Sequence, residues 1–310
     1  KGVSLLTGPA ANRWFDKHCL CVDAGGRMGI NFEHSYSDGT IWGRFIGEVM
    51  SASDGKDSGK KPLPDLPIHM GGATPKKLKF NAEAVVETVA EAEKNYIKLI
   101  SDVDTEILNF KDFGKNEIKT LKCSPDAFVQ MAFQGAYYSL HKKPPPTYEA
   151  CATRKFFHGR TETIRSCTSD ALAMSKALAS GEATAESIQM AAKTHAGISK
   201  EAANGSGIDR HFYAMACLGA EQGITPHKLF QDPIYAKTKT WALSTSNGSA
   251  PYLDLFGFGP VGPECYGLGY LINGNDITIA ITSFKSCADT SSSKMKAAIS
   301  ETLTKMQKTI

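Results

Sequence analysis

Residues 51 to 77, which begin SASDGKDSGKKPLPDLP, are so rich in Ser, Gly, Pro and Lys that they read as an exposed linker and a domain boundary. Before it, two β-leaning apolar runs at 18 to 22 and 27 to 33 flank Asp23, Ala24, Gly25 and Gly26, the pattern of a hairpin. From Gly39 to about Met50 the apolar Ile41, Trp42, Phe45, Ile46 and Val49 recur at helical spacing, so a strand runs directly into a helix. Beyond the linker a helix is expected from about Asn81 to Ile100, a strand near 106 to 110, and a helix capped at Ser124-Pro125-Asp126. After three prolines comes an extended segment at 147 to 153. Helices are then expected near 167 to 179, 184 to 203 and 209 to 222, strands near 240 to 245, 266 to 272 and 277 to 284, and a closing helix from 292.

With 310 residues, 42% of them hydrophobic, the chain has ample material for a core. A net charge of only +3 and the lack of a long Lys/Arg run argue against a nucleic-acid partner or a charged membrane surface. The eight cysteines form no CxxC pair and lie in apolar stretches, as reduced core thiols do, which predicts a reducing compartment. The sequons at Asn204 and Asn247 would matter only in a secreted chain. No apolar run reaches the ~18 residues of a membrane-spanning helix. The absence of HExxH and of clustered His/Cys spacing predicts no metal.

The sharpest local signal is His34-Ser35-Tyr36-Ser37-Asp38-Gly39, a histidine at a strand end with an acid four residues on and a glycine after it. A hydroxyl attacking a thioester loses its proton as the new bond forms, and an imidazole can accept that proton at neutral pH. Asp38 either holds the ring tautomer or braces the turn. On residues alone, a histidine beside a turn is equally readable as structural. Lys115, Lys119 and nearby Lys122 offer positive charge to phosphate, or form a solvated basic face. Gly257-Phe258-Gly259-Pro260-Val261-Gly262 satisfies GxGxxG, but Pro260 and Pro263 prevent the helix that a dinucleotide site needs.

Six ordered blocks set His34 in context: Asn12-Arg13-Trp14-Phe15-Asp16-Lys17, Asn31-Phe32-Glu33-His34-Ser35, Tyr148-Glu149, His158-Gly159-Arg160-Thr161-Glu162-Thr163-Ile164-Arg165, Asp209-Arg210-His211 and Leu243-Ser244-Thr245-Ser246. In order and spacing they resemble the carnitine/choline acyltransferase family from about residue 10 onward. The resemblance implies an α/β (α+β) fold like that of chloramphenicol acetyltransferase, a mixed sheet covered by helices. Residues 1–76 would be the end of an amino-terminal domain with the linker, and 77–310 the carboxy-terminal domain. Members are about twice this length, so the first domain would be mostly absent, supplied in cis or as a separate chain. Weak coenzyme A binding and little turnover are expected of these residues alone.

The resemblance further implies a carnitine O-acyltransferase, with His34 as general base, Asp38 as its orienting acid and Ser246 as a donor to the tetrahedral oxyanion. Lys115, Lys119, Lys122, Ser124 and Asp126 fall in the coenzyme A stretch. Tyr148, Thr161 and Arg210 match the carnitine carboxylate site, joined by Ser244, and Phe258 matches an aromatic near the trimethylammonium. Ala150 stands where a serine is common. Phe256 matches a position that is glycine in long-chain members, which predicts short or medium acyl chains. No cofactor is expected to be permanently bound, with acyl-coenzyme A and carnitine as substrates. Localisation is expected to be mitochondrial, with peripheral attachment to the inner membrane as an option. The alternatives are a choline O-acetyltransferase, which holds no carboxylate, and a non-catalytic fragment or one half of a split enzyme.

Overall fold

The computed structural model of the protein describes residues 3–10, 13–53, 79 and 82–310. The linker expectation therefore lies mostly outside the described residues, as do Asn12 and Asn81. The chain begins with α1 (Val3–Thr7), β1 (Cys19–Val22), β2 (Met28–Asn31) and α2 (Gly39–Ser53). β1 and β2 pair antiparallel in a sheet of their own, Cys19 opposite Asn31 and Val22 opposite Met28. Gly26, at φ 76°, supplies the left-handed residue that the turn between them needs.

The larger part runs α3 (Ala82–Asp102), β3 (Val103–Phe110), α4 (Lys115–Thr120), α5 (Pro125–His141), β4 (Thr147–Ala152), β5 (Thr161–Ile164), α6 (Ser169–Ser180) and α7 (Ala185–Ala203). It continues through α8 (Asp209–Glu221), α9 (Lys228–Gln231), α10 (Pro233–Lys237), β6 (Leu243–Asn247), β7 (Tyr266–Ile272), β8 (Ile277–Phe284) and α11 (Ser292–Thr309). Its six strands lie in the order β3-β8-β7-β6-β4-β5. The sheet is mixed: β6 runs parallel to both β4 and β7, and the other pairings are antiparallel. A parallel neighbour requires a crossover, and the β4-to-β6 crossover contains β5 and five helices.

Local chemistry sets the helix ends. Thr168 accepts a hydrogen bond from Ala171 N at the start of α6, and Gly181, at φ 80°, ends it. Thr184 and Ser187 form a reciprocal capping box on α7. Ser124 has the extended backbone of a cap, but its hydroxyl caps nothing, a correction to the sequence expectation. Pro125 at the first helical position removes one of the N–H groups that a cap would serve.

Phe128, Met131 and Phe133 of α5, Met174 of α6, Ile188 of α7 and Met295, Ile299 and Leu303 of α11 meet Leu268, Tyr270, Ile279 and Ile281 of the sheet in one core. Burying each such side chain is worth roughly 1.5 to 3 kcal/mol. The helix layer thus covers the sheet face to which Leu268 and Tyr270 point. On the other face the chain at 256–260 crosses β7, where a Cβ at Gly269 would lie 2.7 Å from the carbonyl oxygen of Phe256. No helix among the described residues is long and apolar enough to cross a membrane.

Candidate active site

His34 stands in the turn between β2 and α2. Glu33 braces that turn by accepting from Ser35 N at 2.7 Å and Ser35 Oγ at 2.9 Å, and its own amide donates to His18 Nδ1 at 3.1 Å. Beneath it His18, Trp42 and Phe32 form an aromatic cluster, with the Phe32 and His34 rings 5.6 Å apart. The His34 side chain is 65% exposed, and its Nδ1 lies 3.7 Å from Asp38 Oδ1, beyond a hydrogen bond. Asp38 is buried and engaged elsewhere. Its two carboxylate oxygens accept from Arg160 at 2.8 and 3.4 Å. The same guanidinium donates to the carbonyls of His34 at 2.9 Å and Ser35 at 2.8 Å. The hydrogen bond and charge of Asp38 raise Arg160 above its ordinary pKa. Of the two roles open to Asp38, bracing the turn is the one this geometry favours.

Arg160 leads directly into β5. The next residue, Thr161, accepts from Arg210 Nη2 at 3.2 Å through its hydroxyl and from Arg210 Nε at 3.1 Å through its carbonyl. A second arginine fixes the helix that carries Arg210: Arg165 grips Asp209 with Nε and Nη2 at 2.9 and 2.5 Å and donates to the Thr238 carbonyl. Its guanidinium lies 4.6 Å from the centre of the Trp241 ring, and that ring is 5.6 Å from Tyr148. Tyr148 is paired in register with Ser244 across β4 and β6. Alternation along a strand puts Ser246 on the same face as Ser244. The hydroxyls of Tyr148, Ser244 and Ser246 have no hydrogen-bond partner among the described residues. Three donors therefore stand unengaged on the sheet face turned away from the helix layer.

Phe258 lies near this face, its carbonyl accepting from Thr282 Oγ1 at 2.9 Å, with the Phe256 ring 6.0 Å from its own. Phe256 packs over Gly248, where an added Cβ would meet the ring at 2.6 Å. Lys115, Lys119 and Lys122 are exposed and carry no ion pair among the described residues. They cluster on α4 and the turn after it, where Lys122 adopts φ 59°. Asp126 sits apart from these lysines in its bonding, accepting from Tyr270 Oη at 2.7 Å and Asn247 Nδ2 at 2.9 Å.

On the helix side of the sheet, Asp126, Glu149 and His195 bring potential ligand atoms within 4.8 Å of one another. The contact between His195 Nε2 and Glu149 Oε2 is a 2.7 Å hydrogen bond, and the same carboxylate oxygen accepts from Ser166. Burial lifts the Glu149 carboxyl above its ordinary pKa. Burial alone would lower the His195 imidazole, but the hydrogen bond and charge of Glu149 outweigh it and raise it. The group reads as a hydrogen-bonded network, with Asp126 occupied by Tyr270 and Asn247.

Arg160, Arg165 and Trp241 escaped the sequence reading of the site. Arg160 and Arg165 lie inside the quoted His158–Arg165 block, but their partners are 122 and 44 residues away, so no local spacing could assign them.

Comparison with known proteins gives the setting. The profile of the family described as Choline/Carnitine o-acyltransferase matches residues 1–301. Carnitine O-palmitoyltransferase 2, mitochondrial, of Xenopus tropicalis is 33% identical over 290 residues, covering 91% of this chain and 44% of that protein. Carnitine O-acetyltransferase of Columba livia is 33% identical over 304 residues, covering 96% of this chain and 48% of that protein. The chain thus spans less than half the length of these relatives. Among solved structures, a wax ester synthase/diacylglycerol acyltransferase from Marinobacter aquaeolei VT8 aligns with 94% of this chain and 70% of its own at 12% identity and a TM-score of 0.43.

Proposed function

Since the chain belongs to the choline/carnitine o-acyltransferase family, we propose that it is the catalytic part of a carnitine O-acyltransferase, in which His34 moves protons while an acyl group passes between coenzyme A and carnitine. His34 takes the proton from the carnitine hydroxyl as that oxygen attacks the thioester carbonyl. Ser246 donates to the oxyanion, a contribution that such a preorganised donor makes chiefly in the transition state. As the carbon–sulfur bond breaks, the proton returns from His34 to the thiolate, so no acyl-enzyme forms. Lys115, Lys119, Lys122, Ser124 and Asp126 serve coenzyme A. Tyr148, Thr161, Ser244 and Arg210 serve the carnitine carboxylate, and Phe258 serves the quaternary ammonium. Coenzyme A is a substrate, and no permanently bound cofactor takes part.

The observation that carries this reading is the reach of Arg160, which holds the His34 carbonyl while its chain neighbour Thr161 meets Arg210. A base and a cationic anion site are thereby tied together. The Thr161–Arg210 pair also favours carnitine over choline, which has no carboxylate to hold. Residues 1–76 are the end of an amino-terminal domain. The exposed apolar side chains of the hairpin support a missing amino-terminal half, in cis or as a separate chain. Mitochondrial relatives support that compartment for this protein.

The test is transfer between acyl-coenzyme A and carnitine, assayed on this chain alone and with the amino-terminal half of the Columba livia relative added. His34→Ala is expected to lower transfer by about 100-fold or more, with circular dichroism unchanged. Retention of a tenth of the turnover would show that His34 is not the base. Absence of both transfer and coenzyme A binding in either setting would sink the acyltransferase reading itself.

A further inference from the structure

The three residues Ser244-Thr245-Ser246 use their side chains on opposite faces of β6. Ser244 and Ser246 face the reaction side with hydroxyls that have no hydrogen-bond partner among the described residues, whereas Thr245 is fully buried on the helix side. Its Oγ1 accepts from Gln130 Nε2 at 2.9 Å and donates to the carbonyl of Tyr148 at 3.0 Å. The other hydrogen of the same Gln130 amide group goes to Tyr270 Oη at 2.9 Å, and Tyr270 Oη in turn donates to Asp126 at 2.7 Å. Gln130 and Tyr270 are both fully buried. Burial raises the Tyr270 phenol well above its ordinary pKa, so it stays a donor.

A run of polar groups inside a core is costly, the more so here because Gln130 Oε1 is buried with no hydrogen-bond partner among the described residues, and a core needing only shape could be filled by apolar residues at less risk. This run does something that an apolar core does not. It begins at Asp126, at the start of α5, passes under the sheet, and ends on the backbone of Tyr148, whose hydroxyl emerges on the other face. Along the way it holds the residue between the two serines. Hydrogen bonds are directional, so they set the rotation of β6 and β4 about their own axes as apolar contacts cannot.

We propose that Thr245 and Gln130 are positioning residues of the transfer reaction: from beneath the sheet they fix where Ser246 and Tyr148 present their hydroxyls and tie both to the helix end at Asp126. The proposal rests on the acyltransferase reading given above. Reacting groups must be held to within about half an ångström to be effective. Neither residue touches substrate.

The test compares Thr245→Val, which keeps the shape and loses both hydrogen bonds, with Thr245→Ser, which keeps the hydroxyl, and adds Gln130→Leu. Carnitine and coenzyme A affinities are measured by calorimetry on the 310-residue chain, and transfer is measured with the amino-terminal half added. Thr245→Val and Gln130→Leu are expected to lose about tenfold in kcat and to bind carnitine about fivefold more weakly, with coenzyme A affinity within twofold of the unmutated chain. Thr245→Ser is expected to stay within threefold on every measure. If the valine and leucine variants melt lower yet keep unaltered kcat and carnitine affinity per folded molecule, the seam is structural only and the proposal falls. A serine variant as impaired as the valine one would also overturn it, since the hydroxyl would then not be what matters. An unmutated chain that binds neither ligand and transfers nothing removes the acyltransferase reading, and this proposal with it.

Discussion

The hairpin that carries His34 and the sheet that carries Tyr148 and Ser246 treat their apolar residues in opposite ways. On the hairpin Leu20, Val22 and Met28 are 61, 59 and 52% exposed, whereas every residue of β7 is buried. The sheet is held in the large scale by its core. Among the described residues, the amino-terminal segment that carries the hairpin meets the larger part of the chain through directed contacts and a ring contact between Phe15 and Tyr96. Arg160 holds Asp38 and the His34 and Ser35 carbonyls, and Tyr96 donates to the carbonyl of Gly8 at 2.5 Å. The position of the proposed base therefore leans on a part-buried ion pair, while the position of the proposed acceptor site rests on a packed core and the buried hydrogen-bonded seam within it.

The difference is most easily broken at Arg160. Arg160→Leu is expected to lower transfer by about tenfold to hundredfold, because small displacements of a catalytic group are costly, while the melting temperature stays within a few degrees. Arg160→Lys should rescue little, since an ammonium cannot grip a carboxylate and two carbonyls as a planar fork does. Equal turnover in all three proteins would show that the hairpin is placed by something other than Arg160.

On the sheet side, Arg210→Asn is expected to raise the KM for carnitine by about tenfold to hundredfold, as loss of a charge-assisted contact worth roughly 1.5 to 3 kcal/mol would. The KM for choline should not change. Equal losses with both acceptors would make Arg210 a structural partner of Thr161.

A smaller effect is expected at Phe256, where the ring already fills the space over Gly248. The unmutated protein should prefer short or medium acyl chains. Phe256→Gly should raise the ratio of long-chain to short-chain transfer by about tenfold, in line with an overpacking cost of roughly 1 to 3 kcal/mol. Efficient palmitoyl transfer by the unmutated protein, unimproved by the glycine, would show that the ring does not wall the acyl pocket.

The smallest effect concerns pH and the sheet alone. Across this buried pair, the hydrogen bond and charge of Glu149 outweigh burial and make His195 hold its proton more tightly in the folded chain than in the unfolded one. The contribution is complete below the unfolded pKa, about 6.5, and is lost as pH rises through the raised folded value. Thermal melts should fall more steeply as pH rises above about 6.5 for the unmutated chain than for Glu149→Gln/His195→Gln. Parallel curves would show that the pair does not exchange protons on unfolding.

Periodicity alone located most of the larger part of the chain. The strands at 266–272 and 277–284 and the helix from 292 fall where their patterns put them, because a fully buried strand and an amphipathic helix each leave a repeat that needs no partner to be seen. β5 has no counterpart in the sequence pattern, since its four residues TETI carry too little of it to stand out from a loop. The same holds for α4 and the short α9 and α10. The strand expected near 240 to 245 lies at Leu243–Asn247 because its pairing with β4 and β7 sets its ends.

For the candidate site, the residues by themselves determined the kinds of group present: a histidine with an acid four residues on, two hydroxyl-rich segments and an arginine beside an aspartate. They also carried the order of blocks that resembles the family. The tertiary structure alone decided which of these groups meet. Asp38 turns to Arg160 rather than closing on His34, Thr161 meets Arg210, and Thr245 turns away from its two serine neighbours into a buried seam. The reason is physical: spacing along a chain determines the face of an element on which a side chain stands, but a hydrogen bond needs its partner's direction as well as its presence. That direction comes from strands and helices brought together from up to 144 residues apart in the candidate site and its seam.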